Sequence, residues 1–291
     1  MNIALFIATV LIWGTTWIAI AMQIGPVPVL VSVFYRFALA AIIMVAGLAL
    51  MGRLTLPKAK DQPFIVAQAA CLFCCNFICL YNAAAYIPSG LESVIFSLAS
   101  ILNAFNARLF FGEKITGRVL LAGGLGALGV FLLFADEIAV QVDTNTLKGI
   151  GLAALGTLFF SLGNMVSRRN SAAGISLATA NAWGMTYGSI MLMALITITG
   201  TPVIAPPDIK YLSALLYLAA IGSVAGFTAY LMLVARIGSS KAGYTTVFFP
   251  VVALAISTIF EGYQWHLTGL VGLALTIVGN IVMFSRKPVA K

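Results

Sequence analysis

The chain has 291 residues, 62% of them hydrophobic and only 8% charged, with a mean hydropathy of +1.07. Soluble domains are about a quarter charged, which excludes an ordinary cytosolic enzyme, a secreted disulfide scaffold and a disordered regulator. Sixteen Lys and Arg against eight Asp and Glu leave a net charge of +8. That is too few charges for a nucleic-acid-binding face on so much apolar surface, but it is the excess that marks one side of a bilayer.

A bilayer core takes about 20 apolar residues per helical span, and ten such runs follow one another. They are Ile3 to Met22, Pro28 to Met51, Phe64 to Ala84, Gly90 to Phe111, Arg118 to Phe134, Gly149 to Arg168, Ser176 to Thr199, Ile209 to Ala235, Ala242 to Phe260 and His266 to Arg286. Each run is continuously apolar instead of alternating, so helices are expected and strands are not. The first run is a full span without a basic leader, which reads as a retained helix and not a cleaved signal. The expected fold is an all-α integral membrane protein of ten transmembrane helices.

Charge placement tests that count. With a cytoplasmic N-terminus, the inner segments hold Arg53, Lys58, Lys60, Arg108, Lys114, Arg118, Arg168, Arg169, Arg236, Lys241, Arg286, Lys287 and Lys291, 13 of the 16 basic residues. The outer loops hold Lys148 and Lys210 beside Asp136, Glu137, Asp143, Asp208 and Glu261. A wrong count would scramble this segregation, so both termini are expected on the cytoplasmic side.

The order of features repeats. Leu109-Phe110-Phe111-Gly112-Glu113 closes the fourth run and Thr258-Ile259-Phe260-Glu261 the ninth; a glycine-rich run follows each, with Gly123, Gly126 and Gly129 in one and Gly269, Gly272 and Gly279 in the other. Two five-helix halves are expected, over 1–140 and 147–291. Because five is odd, the second must be inverted in the membrane. Inverted halves can exchange two mirrored conformations around a central site, the geometry of alternating access.

Several stretches resemble the EamA-type ten-helix exporters of the drug/metabolite transporter superfamily. They are Ile12-Trp13-Gly14-Thr15-Thr16-Trp17, Phe34-Tyr35-Arg36-Phe37-Ala38, the run from Ser89 through Glu92, Ser93 and Asn103 to Phe111-Gly112-Glu113, and Gly126-Ala127-Leu128-Gly129. Within that family the chain looks most like the YddG aromatic amino-acid exporters. The resemblance implies a basket in which spans one to four and six to nine line a central cavity while spans five and ten stay peripheral. Many relatives carry a proline midway along the fourth span, where this chain has Leu102-Asn103, so the resemblance gives no first-half hinge.

Arg36 is the one base well inside a span, about 12 Å past Pro28 at 1.5 Å per residue. A charge there costs on the order of 3 kcal/mol on insertion scales, so it needs a partner. Glu92, in the outer part of the fourth span, is the candidate. The pair reads either as structural or as a substrate counter-ion and outer gate. Trp13 and Trp17 share one helix face, too deep for the interfacial aromatic belt. With Tyr81, Phe96, Phe160, Trp183, Tyr244 and Phe248 they are candidates to line the cavity, although aromatics in apolar bundles also serve as packing. Asn76 and Asn164 are candidate polar contacts, and inter-helix bonding by them and by Asn103, Asn106 and Asn181 is the plainer alternative. Pro250, the one mid-span proline, is a candidate hinge or a static kink.

Cys71, Cys74, Cys75 and Cys79 fall in one span without His or acidic companions and read as packing residues, not a metal site. The sequence holds no H-E-x-x-H, G-x-S-x-G or P-loop and a single histidine, so no catalytic residues, cofactor or metal are expected. The expectation is a multi-pass exporter in a bacterial inner membrane, monomeric or dimeric. Its partners would be the lipid bilayer and a small solute, an aromatic or other apolar amino acid, and not nucleic acid. A broad drug or metabolite carrier, proton-coupled or facilitative, is the alternative; a membrane enzyme or a non-transporting scaffold is the reading from another class.

Overall fold

The structure, a computed structural model, describes residues 2–135, 144–237 and 245–284. The loop acids Asp136, Glu137 and Asp143, the candidate Tyr244 and the bases Lys241, Arg286, Lys287 and Lys291 lie outside the described residues. Among the described residues every regular element is helical, and the segments join into ten rods. These are α1 (Asn2–Ala21), α2 (Val29–Leu50), α3 (Ala59–Ala83), α4 (Ser89–Phe111), α5 (Gly117–Leu133), α6 (Thr144–Ala172) and α7 (Leu177–Thr199). Then come α8 (the consecutive segments Ile209–Leu216, Tyr217–Ala225 and Gly226–Ile237), α9 (Thr245–Phe260) and α10 (Leu267–Phe284). Seven, namely α1 to α4 and α6 to α8, are long and apolar enough to cross a membrane; α5, α9 and α10 are shorter apolar helices.

Large apolar side chains such as Ile3, Leu50, Leu109, Ile198 and Leu267 lie exposed on the outside, where lipid and not water is the matching solvent. Neighbouring helices come in pairs related by adding or subtracting five. α1 packs on α9 as α6 packs on α4, α3 on α6 as α8 on α1, and α3 on α7 as α8 on α2, while α2 meets α7, α4 meets α9 and α5 meets α10.

The α5–α10 seam is the closest approach. A Cβ on Gly272 would lie 2.5 Å from the Gly129 carbonyl oxygen and 2.9 Å from the Leu133 nitrogen; one on Gly279 would lie 2.9 Å from the Ala122 oxygen. Gly129, Gly272 and Gly279 thus let α5 and α10 meet backbone against backbone.

Four rods are interrupted. α3 and α8 each contain a π-helical turn, Ala70–Cys75 and Tyr217–Ala225, the wide turn that recurs at functional sites. α4 breaks at Leu98 (ψ −5°) between Ser97 and Ala99. Ser93, Ser97 and Ser100 donate from Oγ to the carbonyls of Gly90 (2.5 Å), Val94 (2.7 Å) and Ser97 (3.3 Å), and such back-bonding competes with the helix and bends it. The first half therefore has a break that no proline makes. α9 contains Pro250. Gly112 and Gly262, at φ +69° each, turn the chain just past α4 and α9, a backbone region glycine enters without Cβ strain.

Candidate functional site

A cavity of about 60 Å³ opens where α1, α2, α3, α4, α6, α8 and α9 meet. Small-molecule sites enclose about 300–1,000 Å³, so these helices must part before a solute fits. Its wall is aromatic. Trp17 packs edge-on to Phe96 at 5.2 Å and parallel to Phe249 at 6.0 Å, and Phe96 leans on Phe160 at 4.6 Å. Trp13 meets Phe227 at 5.6 Å and Tyr230 at 4.9 Å. Cβ atoms on Gly222 and Gly226 would stand 2.7 Å from Thr16 Cγ2 and 2.8 Å from Trp13 Nε1. α8 is therefore glycine at the two points where α1 lays side chains across it.

Arg36 supplies the cavity's one formal charge and is 3% exposed. Its Nε donates to Ser223 Oγ at 3.2 Å, from the π turn of α8. Its guanidinium carbon lies 4.4 Å from the Phe77 ring centroid, just past the π turn of α3, a cation–π contact that offsets part of its lost hydration. Nη1 is buried without a hydrogen-bond partner. The expected Arg36–Glu92 ion pair is not formed. Glu92, fully buried near the start of α4, has no hydrogen-bond partner on either carboxylate oxygen, while Arg36 is held by α8 and the Phe77 ring.

One side of the cavity is closed by a polar layer. Gln23 follows Ile20 in the turn ending α1, Tyr81 lies one turn beyond Phe77, and Glu92 one turn from Phe96. The Tyr81 hydroxyl donates to Gln23 Oε1 at 2.8 Å, and Gln23 Nε2 has no partner. On the same side, Glu261 past α9 accepts from the Ser89 backbone N–H at 3.1 Å and from its Oγ at 2.6 Å, tying the halves together.

The opposite side is tied by charge. Arg169 at the end of α6 meets Asp61 at 2.8 Å and lies over the Phe64 ring at 3.6 Å. Arg168 meets Glu113 at 2.6 Å. Buried amides continue this tie, Asn170 donating to Gln68 Oε1 at 2.9 Å and Gln68 to Asn181 Oδ1 at 3.3 Å.

Trp13, Trp17, Phe96, Phe160 and Arg36 thus converge on the cavity, and Tyr81 and Glu92 sit in the layer closing it. Other candidates are placed elsewhere. Asn76 donates to the Gly156 carbonyl at 2.7 Å, and Asn164 to Asn103 Oδ1 at 3.4 Å, both bonds between helices. Trp183 donates to the Thr55 carbonyl at 2.9 Å, at the Arg169 end of the molecule. Phe248 is exposed and packs on Phe6, whereas the next residue, Phe249, is buried in the cavity wall. Pro250, buried beside it, leaves its own contribution to the backbone. α7 lends no residue to the cavity, contrary to the eight-helix lining that the resemblance implied. Phe77, Phe227, Leu72 and Leu80 were not singled out from the sequence; Phe77 and Leu80 carry the helical spacing to Tyr81 and Asn76 that would have flagged that face.

An apolar cavity between two halves of a helical bundle, tied across both ends, is the architecture of a membrane transporter. The model of the EamA-like transporter family matches residues 1–135 and 147–285, and the chain belongs to that family. It is similar to Protein PagO of Salmonella typhimurium (23% identity over 97% of this chain and 95% of that protein). It is also similar to the uncharacterized inner membrane transporter YedA of Escherichia coli K12 (26%, 98% and 93%). A probable terminal-alkyne amino-acid exporter of Streptantibioticus cattleyicolor matches at 21% identity over 98% of this chain and 93% of its own length. One solved crystal structure superposes with a TM-score of 0.70 at 17% identity, covering 97% of this chain and 95% of its own. The chain is a multi-pass protein of the bacterial inner membrane.

Proposed function

We propose that the protein exports small amino acids with aromatic or other apolar side chains, by alternating access through the central cavity. The observation that carries this reading is the cavity itself: aromatic walls around a single buried guanidinium whose Nη1 has no partner. An apolar side chain suits the rings, and a carboxylate suits Nη1, because charge-assisted hydrogen bonds are the strong ones. The exporter of terminal-alkyne amino acids among the relatives supports the amino-acid class.

All ten rods span the bilayer in this reading, with both termini cytoplasmic and the second half inverted. The exchange symmetry of the helix contacts supports it, as do the π turns in α3 and α8 and the glycines closing α4 and α9. The halves rock about the cavity, releasing Glu261–Ser89 on the outer side and Asp61–Arg169 on the inner side in turn. The α5–α10 seam lies within one chain, so the unit is a monomer. Transport is facilitated diffusion in this reading: Arg36 is the one ionisable residue of the cavity wall itself among the described residues, and Glu92 lies in the layer beyond it.

Purified protein in liposomes, assayed for flux of an amino-acid panel with and without a pH gradient, tests class, substrate and coupling. Flux of phenylalanine or leucine independent of the gradient is expected. No flux of any amino acid overturns the reading.

A further inference from the structure

Two buried groups of opposite chemistry beside the cavity keep atoms without hydrogen-bond partners, and they do not satisfy each other. Arg36 offers a free N–H donor at Nη1; Glu92 offers two free carboxylate oxygens. Orphaned polar atoms in a membrane interior are expensive, and a charge-bearing one more so. Tyr81 neighbours both, its hydroxyl within hydrogen-bonding reach of the Arg36 side chain. Its ring touches Phe77 in the cavity wall at 6.5 Å, and Arg36 and Glu92 are both its electrostatic neighbours. Glu261 faces Glu92 as well, adding negative potential, but its own oxygens are held by Ser89.

We propose that Arg36 and Glu92 are the two ends of one dipolar cradle, Arg36 taking a carboxylate and Glu92 an ammonium, so that the solute is a zwitterion. This rests on the transport reading above and sharpens it. One solute molecule supplies both missing partners, which neither a simple carboxylic acid nor a simple amine does. Gln23 Nε2, also unpaired in this layer, adds a donor that a carboxylate oxygen of the solute or of Glu92 accepts once the layer moves. The aromatic rings then hold the solute's side chain in the cavity below the polar layer.

The test compares three solutes in liposomes containing the full-length protein: phenylalanine, 3-phenylpropanoate (no ammonium) and phenethylamine (no carboxylate). Wild-type protein is expected to carry phenylalanine at least about tenfold better than either analogue, the value of one hydrogen bond to a charged group. Glu92→Gln is expected to erase the advantage over 3-phenylpropanoate while keeping that over phenethylamine, and Arg36→Gln to do the reverse. These ratios are read within one vesicle preparation and are independent of how much protein has folded. If a variant carries none of the three, thermal stabilisation of the purified protein by each solute gives the same ratios.

Equal wild-type flux of phenylalanine and 3-phenylpropanoate overturns the cradle while leaving amino-acid transport intact. An unchanged ratio in Glu92→Gln also overturns it, including the case where only the response to a pH gradient is lost, which would make Glu92 a proton carrier. Wild-type protein that moves no amino acid overturns the transport reading and the cradle with it.

Discussion

Gly272→Ala is expected to destabilise the protein although the same change at Gly124 stabilises it. The added Cβ at position 272 falls 2.5 Å from the Gly129 carbonyl oxygen and 2.9 Å from the Leu133 nitrogen, backbone atoms of the opposing helix that cannot rotate away. α5 and α10 must therefore separate, and overpacking of a close-fitted interface costs about 1–3 kcal/mol. Alanine returns about 1 kcal/mol of helix propensity over glycine, so the net loss at 272 is about 0–2 kcal/mol. At Gly124 nothing lies within 4 Å of the built Cβ, and only the propensity gain of up to about 1 kcal/mol remains. The difference between the variants, about 1–3 kcal/mol, is free of the propensity contribution. Melting midpoints of the two purified proteins in one detergent read it directly. Midpoints that shift equally would refute the view that α5 and α10 are locked backbone to backbone, as would a Gly272→Ala protein that melts higher.

Phe249→Leu is expected to lower phenylalanine flux several-fold and Phe248→Leu to leave it unchanged, because adjacent residues on α9 face the cavity and the exterior respectively; equal effects in a liposome assay would place α9 in a different rotation. Ser223→Ala should raise the KM for phenylalanine by about tenfold or more with less change in kcat, since it removes the hydrogen bond that orients Arg36 and one such bond to a charged group contributes about 1.5–3 kcal/mol. Initial-rate kinetics separate the two constants, and an unchanged KM counts against the orienting role. Arg169→Gln should leave the nearly buried Asp61 carboxylate without its ionic partner and make the inner side easier to open. Faster thiol labelling of the half-buried Cys71 and Cys75 by a membrane-impermeant reagent from the cytoplasmic side is the expected readout.

Arg36 was legible because a lone base inside an apolar run has no ordinary explanation, and Trp13 and Trp17 because a four-residue spacing fixes one face. The rotation of α9 was not legible. Phe248 and Phe249 are adjacent, both are aromatic, and a helix apolar on all sides carries no amphipathic signal to choose between them. The π turns left no mark either, since they shift hydrogen bonds by one residue without changing composition. The break at Leu98 did leave one, in the serines at 93, 97 and 100, whose hydroxyls compete for helix carbonyls. Glu92 was the candidate partner of Arg36 because both lie toward the outer side, Glu92 nearer the surface. Depth says nothing of azimuth, and α8 and α3 place Ser223 and Phe77 against the guanidinium instead.

The interruptions and the locked seam divide the molecule by role. The π turns of α3 and α8, the break in α4 and Pro250 in α9 all fall on helices that wall the cavity. A continuous helix resists bending because every turn is closed by hydrogen bonds, whereas a proline or a serine-competed turn has weakened some of them and a π turn has shifted them into a wider ring. Enlarging a 60 Å³ cavity to admit a solute can therefore proceed by bending these four rods near their middles. The α5–α10 seam lends no residue to the cavity and carries the closest backbone contacts, so it can hold the two halves together while the others bend. Substitutions at the interruptions should then alter the rate of opening, and substitutions along the seam the stability of the whole, with little exchange between the two effects.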